Sequence, residues 1–319
     1  MGDQMDVVSR VFSNASRLSI IVPLQSSTAA FEETLISVLE NRPAGAEILV
    51  CHDGRYDDPF DLCDEVRFVT ADSPDIMKLI SAGASAANGR FVHVIASGVK
   101  ATEGWCDAAL EKFEHFDCGS VAPVVRSRQN SRILAAGWKD AVGRLCTPAS
   151  SGSDTVEQPS RISIGAYLQT SFWRTDLLCS LADAMTAADV TEANVAYEHL
   201  SRDAGWRCVV AEECDLVCED EDLLIGNTGF ARGMKLRGLR NHFECLGWST
   251  AIQSSVMAAL VSVFTPKLLS EAIGQAFGAI SAKRLQTRIK QSKVIRCDER
   301  LRADERKPRQ QPLPLRRAA

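Results

Sequence analysis

Between Ser81 and Trp105 the chain reads SAGASAANGRFVHVIASGVKATEGW, and this stretch limits what the rest can become. The small residues from Ser81 to Ala87 suit a helix lying close against a sheet, because Gly83 and Ala87 are four apart on one helical face. Gly89 ends that helix. Phe91 to Ile95 reads as a buried strand, followed by a turn at Ala96–Gly98 and a Gly104–Trp105 pair. Packing alone accounts for Gly83 and Ala87.

The preceding residues supply neighbours for that strand. Leu18 to Pro23 is an unbroken apolar run closed by proline, as in a parallel strand covered on both faces. A polar loop, Gln25-Ser26-Ser27-Thr28, comes next, and Thr28 is expected to cap a helix with Phe31, Leu35, Val38 and Leu39 on one face. Asn41-Arg42-Pro43 ends it. Glu47 to Cys51 is a second buried strand, running into His52-Asp53-Gly54-Arg55, and Glu65 to Thr70 is a third. This order predicts an open, Rossmann-like α/β sheet whose ligands bind at the carboxyl ends of the strands. Asp53 stands at such an end. The alternative for Asp53 is a turn aspartate accepting from local backbone N–H groups.

In order and spacing these pieces resemble the family 2 glycosyltransferases, from Leu18 to about Glu213. Ile20-Ile21-Val22-Pro23 matches their opening strand, and Glu47 through Gly54 their second strand with its acidic turn. Ser81 through Gly89 matches the small-residue helix before their central strand, and Gly104-Trp105 the pair that follows it. The resemblance implies a GT-A fold, a mostly parallel sheet flanked by helices, with a C-terminal helical extension. It divides the chain into an N-terminal extension (1–17), a GT-A domain (18–225), a helical extension (226–296) and a basic tail (297–319). It also implies a nucleotide-sugar donor contacted near Pro23 and Asp53, a glycan or glycoconjugate acceptor, and transfer with inversion if the protein is active.

The chain departs from that family where the chemistry is most demanding. In active relatives the central strand ends in Asp-x-Asp, whose carboxylates hold Mn²⁺ or Mg²⁺ against the leaving diphosphate. Here Ala96 and Gly98 stand at those places, and neither can bind a hard cation. His52 replaces an acid of the second turn and Ser26 an asparagine of the first loop. Two readings follow. Cationic side chains replace the ion, with Lys100, Arg126 and Arg128 as candidates; or the fold is kept without transfer chemistry, for binding or assembly. Either way the resemblance no longer carries a divalent cofactor with it.

Farther on, Val121 to Val125 and Ile133 to Trp138 read as strands, Cys146 to Ser160 as a mobile loop, and Ile162 to Phe172 as strand or helix entry. Trp173 to Met185 leads into a helix. Asp189 to Ala204 reads as another, with Asp189 and Glu192 near one face. The resemblance assigns an acid at this helix start as general base; the alternative is a helix N-terminal acid favoured by the macrodipole. Trp206 to Val210 is expected as an edge strand and Glu219 to Asp222 as a solvated acidic turn. From Gly229 on, Arg232, Lys235, Arg237 and Arg240 recur at helical spacing, and Ala251 to Phe264 and Leu268 to Ile280 carry apolar stripes. These helices either rest on an anionic membrane surface or pack on the main domain with a solvated cationic face.

The net charge of −5 gives no sign of general nucleic-acid binding. The eleven cysteines form no paired framework. Cys214 and Cys218 lack the partners a zinc site needs, so free thiols in a reducing cytoplasm are expected. The first residues show no basic segment followed by an apolar run, so no secretion signal is read there, and the location expected is cytoplasmic or peripheral to the inner membrane face.

Overall fold

The computed structural model describes residues 17–25, 27–115, 117–141, 143–156, 165–219, 222–226, 228–244, 256–257, 260, 268–281 and 289–299. Ser26 and most of 251–264 lie outside the described residues, as do 157–160 of the expected loop and 162–164 of the expected strand or helix entry.

Four strands run parallel: β1 (Leu18–Pro23) lies between β2 (Glu47–His52) and β4 (Phe91–Val94), and β3 (Arg67–Thr70) flanks β2. The unbroken apolar runs of β1 and β4 are buried along their whole length, as expected for strands covered on both faces. Helix α1 (Thr28–Glu40) follows β1, and α2 (Ile76–Ala86) follows β3. The cap of α1 is Ser27, whose side chain accepts from the Ala30 N–H at 3.4 Å; Thr28 is already the first helical residue. Gly83 of α2 sits so near the sheet that a Cβ there would lie 2.7 Å from Cys51 Sγ and 2.8 Å from Ile21. A Cβ on Gly89 would lie 2.6 Å from the Ser19 backbone nitrogen.

Beyond β4 the sheet continues through β10 (Phe172–Arg174), β6 (Cys118–Ser127), β11 (Arg207–Cys218) and β5 (Val99–Ala101). β10 is antiparallel to both β4 and β6, so β6 and its parallel neighbour β11 point the same way as β1, β2 and β4. In a flat sheet β4 and β5 would stand four spacings apart, about 19 Å at about 4.8 Å each. The step from Val94 to Val99 reaches at most about 17 Å fully extended, and it contains a tight turn closed by Val99 N–H to Ala96 O at 3.1 Å. The sheet therefore curls, and β5 folds back near the end of β4.

β5 is thus an edge strand, and α1 covers it. Thr34 Oγ1 accepts from the Gly98 N–H at 2.9 Å, Ser37 Oγ accepts from the Ala101 N–H at 3.1 Å, and Asn41 Nδ2 donates to Ala101 O at 3.3 Å. One polar stripe of α1 satisfies backbone groups that an open edge would offer to another chain. The expected edge strand at Trp206–Val210 is the first stretch of β11, which there pairs with β6 alone; β5 joins its other side only at Leu216–Cys218.

Pro123 lies within β6. It has no N–H to give the ladder. At that level β11 shifts register between Ala211 and Asp215, and the other edge of β6 passes from β10 to β7 (Ile133–Ala136). The expected strand Ile133–Trp138 is divided at Gly137, where φ is +74°, into β7 and β8 (Trp138–Ala141). β8 pairs with β9 (Arg144–Pro148), so the first residues of the expected mobile loop form a hairpin strand.

Helices α3 (Asp107–Lys112), α4 (Thr175–Ala184) and α5 (Val190–Asp203) complete the flanking layers. After the short α6 (Asp222–Ile225), α7 (Phe230–Glu244) packs closely on α8 (Leu269–Ser281). Gly233 faces Glu271 O, Gly274 faces Phe230 O, and a Cβ on Gly278 would lie 2.5 Å from Met234 O, so side chains at these glycines would hold the two backbones apart. The cations of α7 do not form a solvated face. Arg232 and Arg237 are buried, and Arg232 meets Glu271 at 2.6 Å. Lys235 pairs with Asp189, and Arg240 with Asp140 and Glu244. They turn inward because the body of the protein presents carboxylates there. No helix among the described residues is long and apolar enough to cross a membrane.

Candidate functional site

The carboxyl ends of β1, β2, β4, β6 and β11 share one rim of the sheet, and all but two of the expected site residues lie along it. Asp53 follows β2. Pro23 ends β1 beside it, pairing in register with Cys51. The Ala96–Gly98 turn follows β4, and Ser97 Oγ donates to Pro23 O at 2.9 Å. Asp53 and this turn are therefore two strands apart, about 10 Å, with the end of β1 between them.

The turn itself is built to exclude carboxylates. Ala96 is fully buried, and its N–H donates to Gln169 O at 2.8 Å. Gly98 has φ +96° at the third position of a turn whose ends are joined by the Val99–Ala96 bond, as type II turns require. An acid at 96 would be sealed from solvent, and one at 98 would be strained. Neither position therefore offers a carboxylate ligand for a hard cation. Among the described residues the only clustered potential ligands are Asp58, Asp61 and Cys63. Asp58 there accepts from the Leu62 N–H at 2.6 Å and the Phe60 N–H at 3.3 Å, which is loop-closing work.

Asp53 accepts from the Arg55 N–H at 3.2 Å and lies 3.5 Å from its guanidinium. His52 is buried between Tyr56 and Phe68, and its Nδ1 accepts from the Gly54 N–H at 3.1 Å. Both residues shape the turn after β2.

Lys100, Arg126 and Arg128 gather on one face of the curled sheet. Val217 of β11 pairs in register with Lys100 on one side and Arg126 on the other. Side chains alternate along strands, so Asp215 and Glu219 share the face of Val217, and Arg128 that of Arg126. Lys100 Nζ lies 2.7 Å from Glu33 and 3.7 Å from Glu219. Arg128 pairs with the same Glu219 oxygen. Arg126 Nε donates to Asp215 at 2.7 Å, and its Nη1 donates to Ser131 O and Asp154 O. The Arg128 guanidinium, then Lys100, hold the Glu219 carboxyl below its usual range. Glu219 and Asp215 carry no signal in sequence beyond an acidic turn; their role emerges only when β11 pairs with β5 and β6.

Asp189 caps α5, accepting from the Glu192 N–H at 2.8 Å. Glu192 in turn accepts from the N–H of Ala188, the residue before the cap, at 2.5 Å. Asp189 is partly exposed, with 40% of its side chain open, whereas Glu192 is buried. Behind this helix start, Asn194 Oδ1 accepts from the Leu168 N–H at 2.8 Å, tying α5 to the 166–170 segment that covers Ala96. A cavity of about 480 Å³ opens between the start of α2 and the end of α4, lined by Asp75, Lys78, Asp183 and Tyr197 among others. None of the expected site residues lines it.

Most cysteines are core fillers. Burial pushes the Cys51, Cys118 and Cys146 thiols up to about 12, which removes them as nucleophiles near neutral pH.

A curled central sheet of mixed strand direction flanked by helices is the α/β GT-A fold. One solved structure agrees at a TM-score of 0.50. A GalNAc-T7 structure with UDP, GalNAc and Mn²⁺ matches at TM-score 0.50 and 11% identity over 85% of this chain and 57% of that one. TarS from S. aureus matches at 0.48 and 13%, over 82% and 55%. The Pyrobaculum calidifontis mannosyltransferase PcManGT, solved with GDP-Man and Mn²⁺, matches at 0.45 and 15%, over 85% and 79%. The chain spans little more than half the length of the first two. No family model and no curated protein sequence matches it.

Proposed function

We propose that this chain is a glycosyltransferase-like protein that takes a nucleotide-sugar donor along the carboxyl rim without a divalent ion. The observation that carries the reading is the joint arrangement of the turn and the cations. The Ala96–Gly98 turn carries no acid, and two residues beyond it Lys100 shares Glu219 with Arg128. Guanidinium and ammonium groups can neutralise a diphosphate in place of a metal. Asp53 would meet the nucleoside. Of the two candidate bases, Asp189 is the one open to an acceptor hydroxyl, and the sugar would pass with inversion to a glycan or glycoconjugate.

A second reading has its own support. Lys100, Arg126, Arg128 and Asp189 are each engaged by a partner of opposite charge within the chain. That suits a protein that binds a nucleotide or glycan without turning it over.

Calorimetry with UDP- and GDP-sugars in EDTA, followed by assay of donor hydrolysis and transfer, separates the two. Binding in EDTA, weakened in Arg128→Gln and accompanied by turnover that Asp189→Asn abolishes, supports the enzyme. Binding without turnover supports the second reading. If no nucleotide binds in EDTA, the metal-free donor site is wrong.

A further inference from the structure

We infer that Glu219 is a built-in competitor for the donor's diphosphate, a carboxylate occupying the place that a phosphate oxygen would take between Lys100 and Arg128. The inference rests on the donor reading above and adds how that site is regulated.

The geometry has three parts. First, one oxygen of Glu219 touches both cations, Lys100 at 3.7 Å and Arg128 more closely, as a bridging phosphate oxygen would. Second, Lys100 lies in β5, while Arg128 and Glu219 each stand one residue past the ends of β6 and β11, where the Arg128 N–H donates to Cys218 O at 3.0 Å. The main chains that carry the two cations are thus held near one another without the Glu219 side chain. Third, Glu219 itself is loosely held. Its side chain is 53% exposed, and it stands one residue past the last ladder pair of β11, Cys218 with Ser127. An exposed carboxylate at a strand end leaves an ion pair at little cost. A diphosphate brings more charge and more acceptor oxygens to the same two cations than a carboxylate does.

Glu33, the second acid on Lys100, is 58% exposed and comes from α1. With both acids in place the cluster of Lys100 and Arg128 is electrically balanced, so it holds anions weakly at rest. Displacing Glu219 is the step that makes it attractive. The site thus has a threshold, a moderate affinity that only a multiply charged ligand overcomes.

The test is calorimetry on the full chain in EDTA with UDP, GDP and inorganic pyrophosphate, comparing the native protein with Glu219→Gln and with Glu219→Gln/Arg128→Gln. Glu219→Gln is expected to bind all three about fivefold tighter, the scale of an exposed ion pair, and the double variant to lose that gain. Unchanged or weaker nucleotide binding in Glu219→Gln, with the native protein still binding UDP or GDP, overturns the inference and leaves the donor reading standing. Tighter pyrophosphate binding in Glu219→Gln, with no nucleotide bound by either form, overturns the donor reading and leaves the competition standing. Binding of none of the three ligands overturns both. Glu33→Gln serves as a second variant, expected to give a smaller gain that does not depend on Arg128.

Discussion

Glu198 lies on the buried side of α5, with one carboxylate oxygen 3.2 Å from Arg202 and the other without a hydrogen-bond partner. Burial raises its pKa to about 7, against the pull of Arg202. A carboxyl that keeps its proton more tightly when folded stabilises the fold fully below the unfolded value of 4.5, and that contribution fades as pH rises through about 7. Glu198→Gln removes the titration. At pH 8 the variant is expected to exceed the native protein by up to about 3 kcal/mol, with the gap closing toward pH 5. Urea unfolding at the two pH values checks this, and a variant less stable at both would refute it. Nothing in sequence marks Glu198, because its burial comes from packing far along the chain. That Ala96 and Gly98 offer no carboxylate is legible in the sequence, and so is the choice for Asp53 between ligand contact and turn-building. What could not be read is that the turn rejects acids for two different reasons, burial at one position and backbone conformation at the other. His93 was equally silent. It lies fully buried in β4, stacked on Phe172 at 3.8 Å, with its pKa lowered by burial to about 3.

Close contacts between elements were partly readable. The small-residue pattern around Gly83 pointed to a helix pressed on a sheet, and the two contacts at Gly83 and Gly89 give that reading a number each. Gly83→Ala forces Cys51 and Ile21 side chains to yield and is expected to cost about 1–3 kcal/mol. Gly89→Ala meets the backbone of β1, which cannot step aside, and should cost more. Chemical denaturation of both variants tests the ranking, and Gly89→Ala as mild as Gly83→Ala would contradict it. Other element-level features were hidden by their polarity. Thr34, Ser37 and Asn41 look like the solvent side of α1, yet they close the edge of β5, whose sequence lies sixty residues away. β11 begins at the sheet edge, as its sequence indicates, and becomes interior only at Leu216–Cys218, where β5 joins it. A strand beginning at Arg207 reads as exposed at its start and shows its burial only after the bulge opposite Pro123, where Cys214, Leu216 and Cys218 alternate inward.

Across the whole molecule, α7 and α8 grip the β8–β9 hairpin as well as each other. Arg232 donates to Cys146 O at 2.9 Å and Leu145 O at 3.3 Å while pairing with Glu271, and Gln275 Nε2 donates to Gly143 O at 3.1 Å. Arg240 reaches Asp140 on the same hairpin, and Lys235 reaches Asp189 at the start of α5. The sequence showed these cations at helical spacing but not their direction, since the carboxylates and carbonyls that draw them inward lie up to about a hundred residues earlier. Arg232 and Glu271 are only 6% and 5% exposed in their side chains, so each depends on the other to stay charged where it is. Glu271→Ala leaves a buried guanidinium without its counter-charge, a change that costs about 3–5 kcal/mol. Because that guanidinium also holds β9, the loss should travel beyond the helices. Amide exchange at Arg144–Pro148 is expected to speed up together with exchange in α7, and thermal unfolding should fall as one transition. Replacing both partners with apolar residues, Arg232→Met with Glu271→Leu, should recover most of the stability but not the slow exchange of the hairpin, whose carbonyl contacts the methionine cannot make. A Glu271→Ala protein that unfolds normally, or whose hairpin exchanges at the native rate, would show that the helices and the hairpin are held independently.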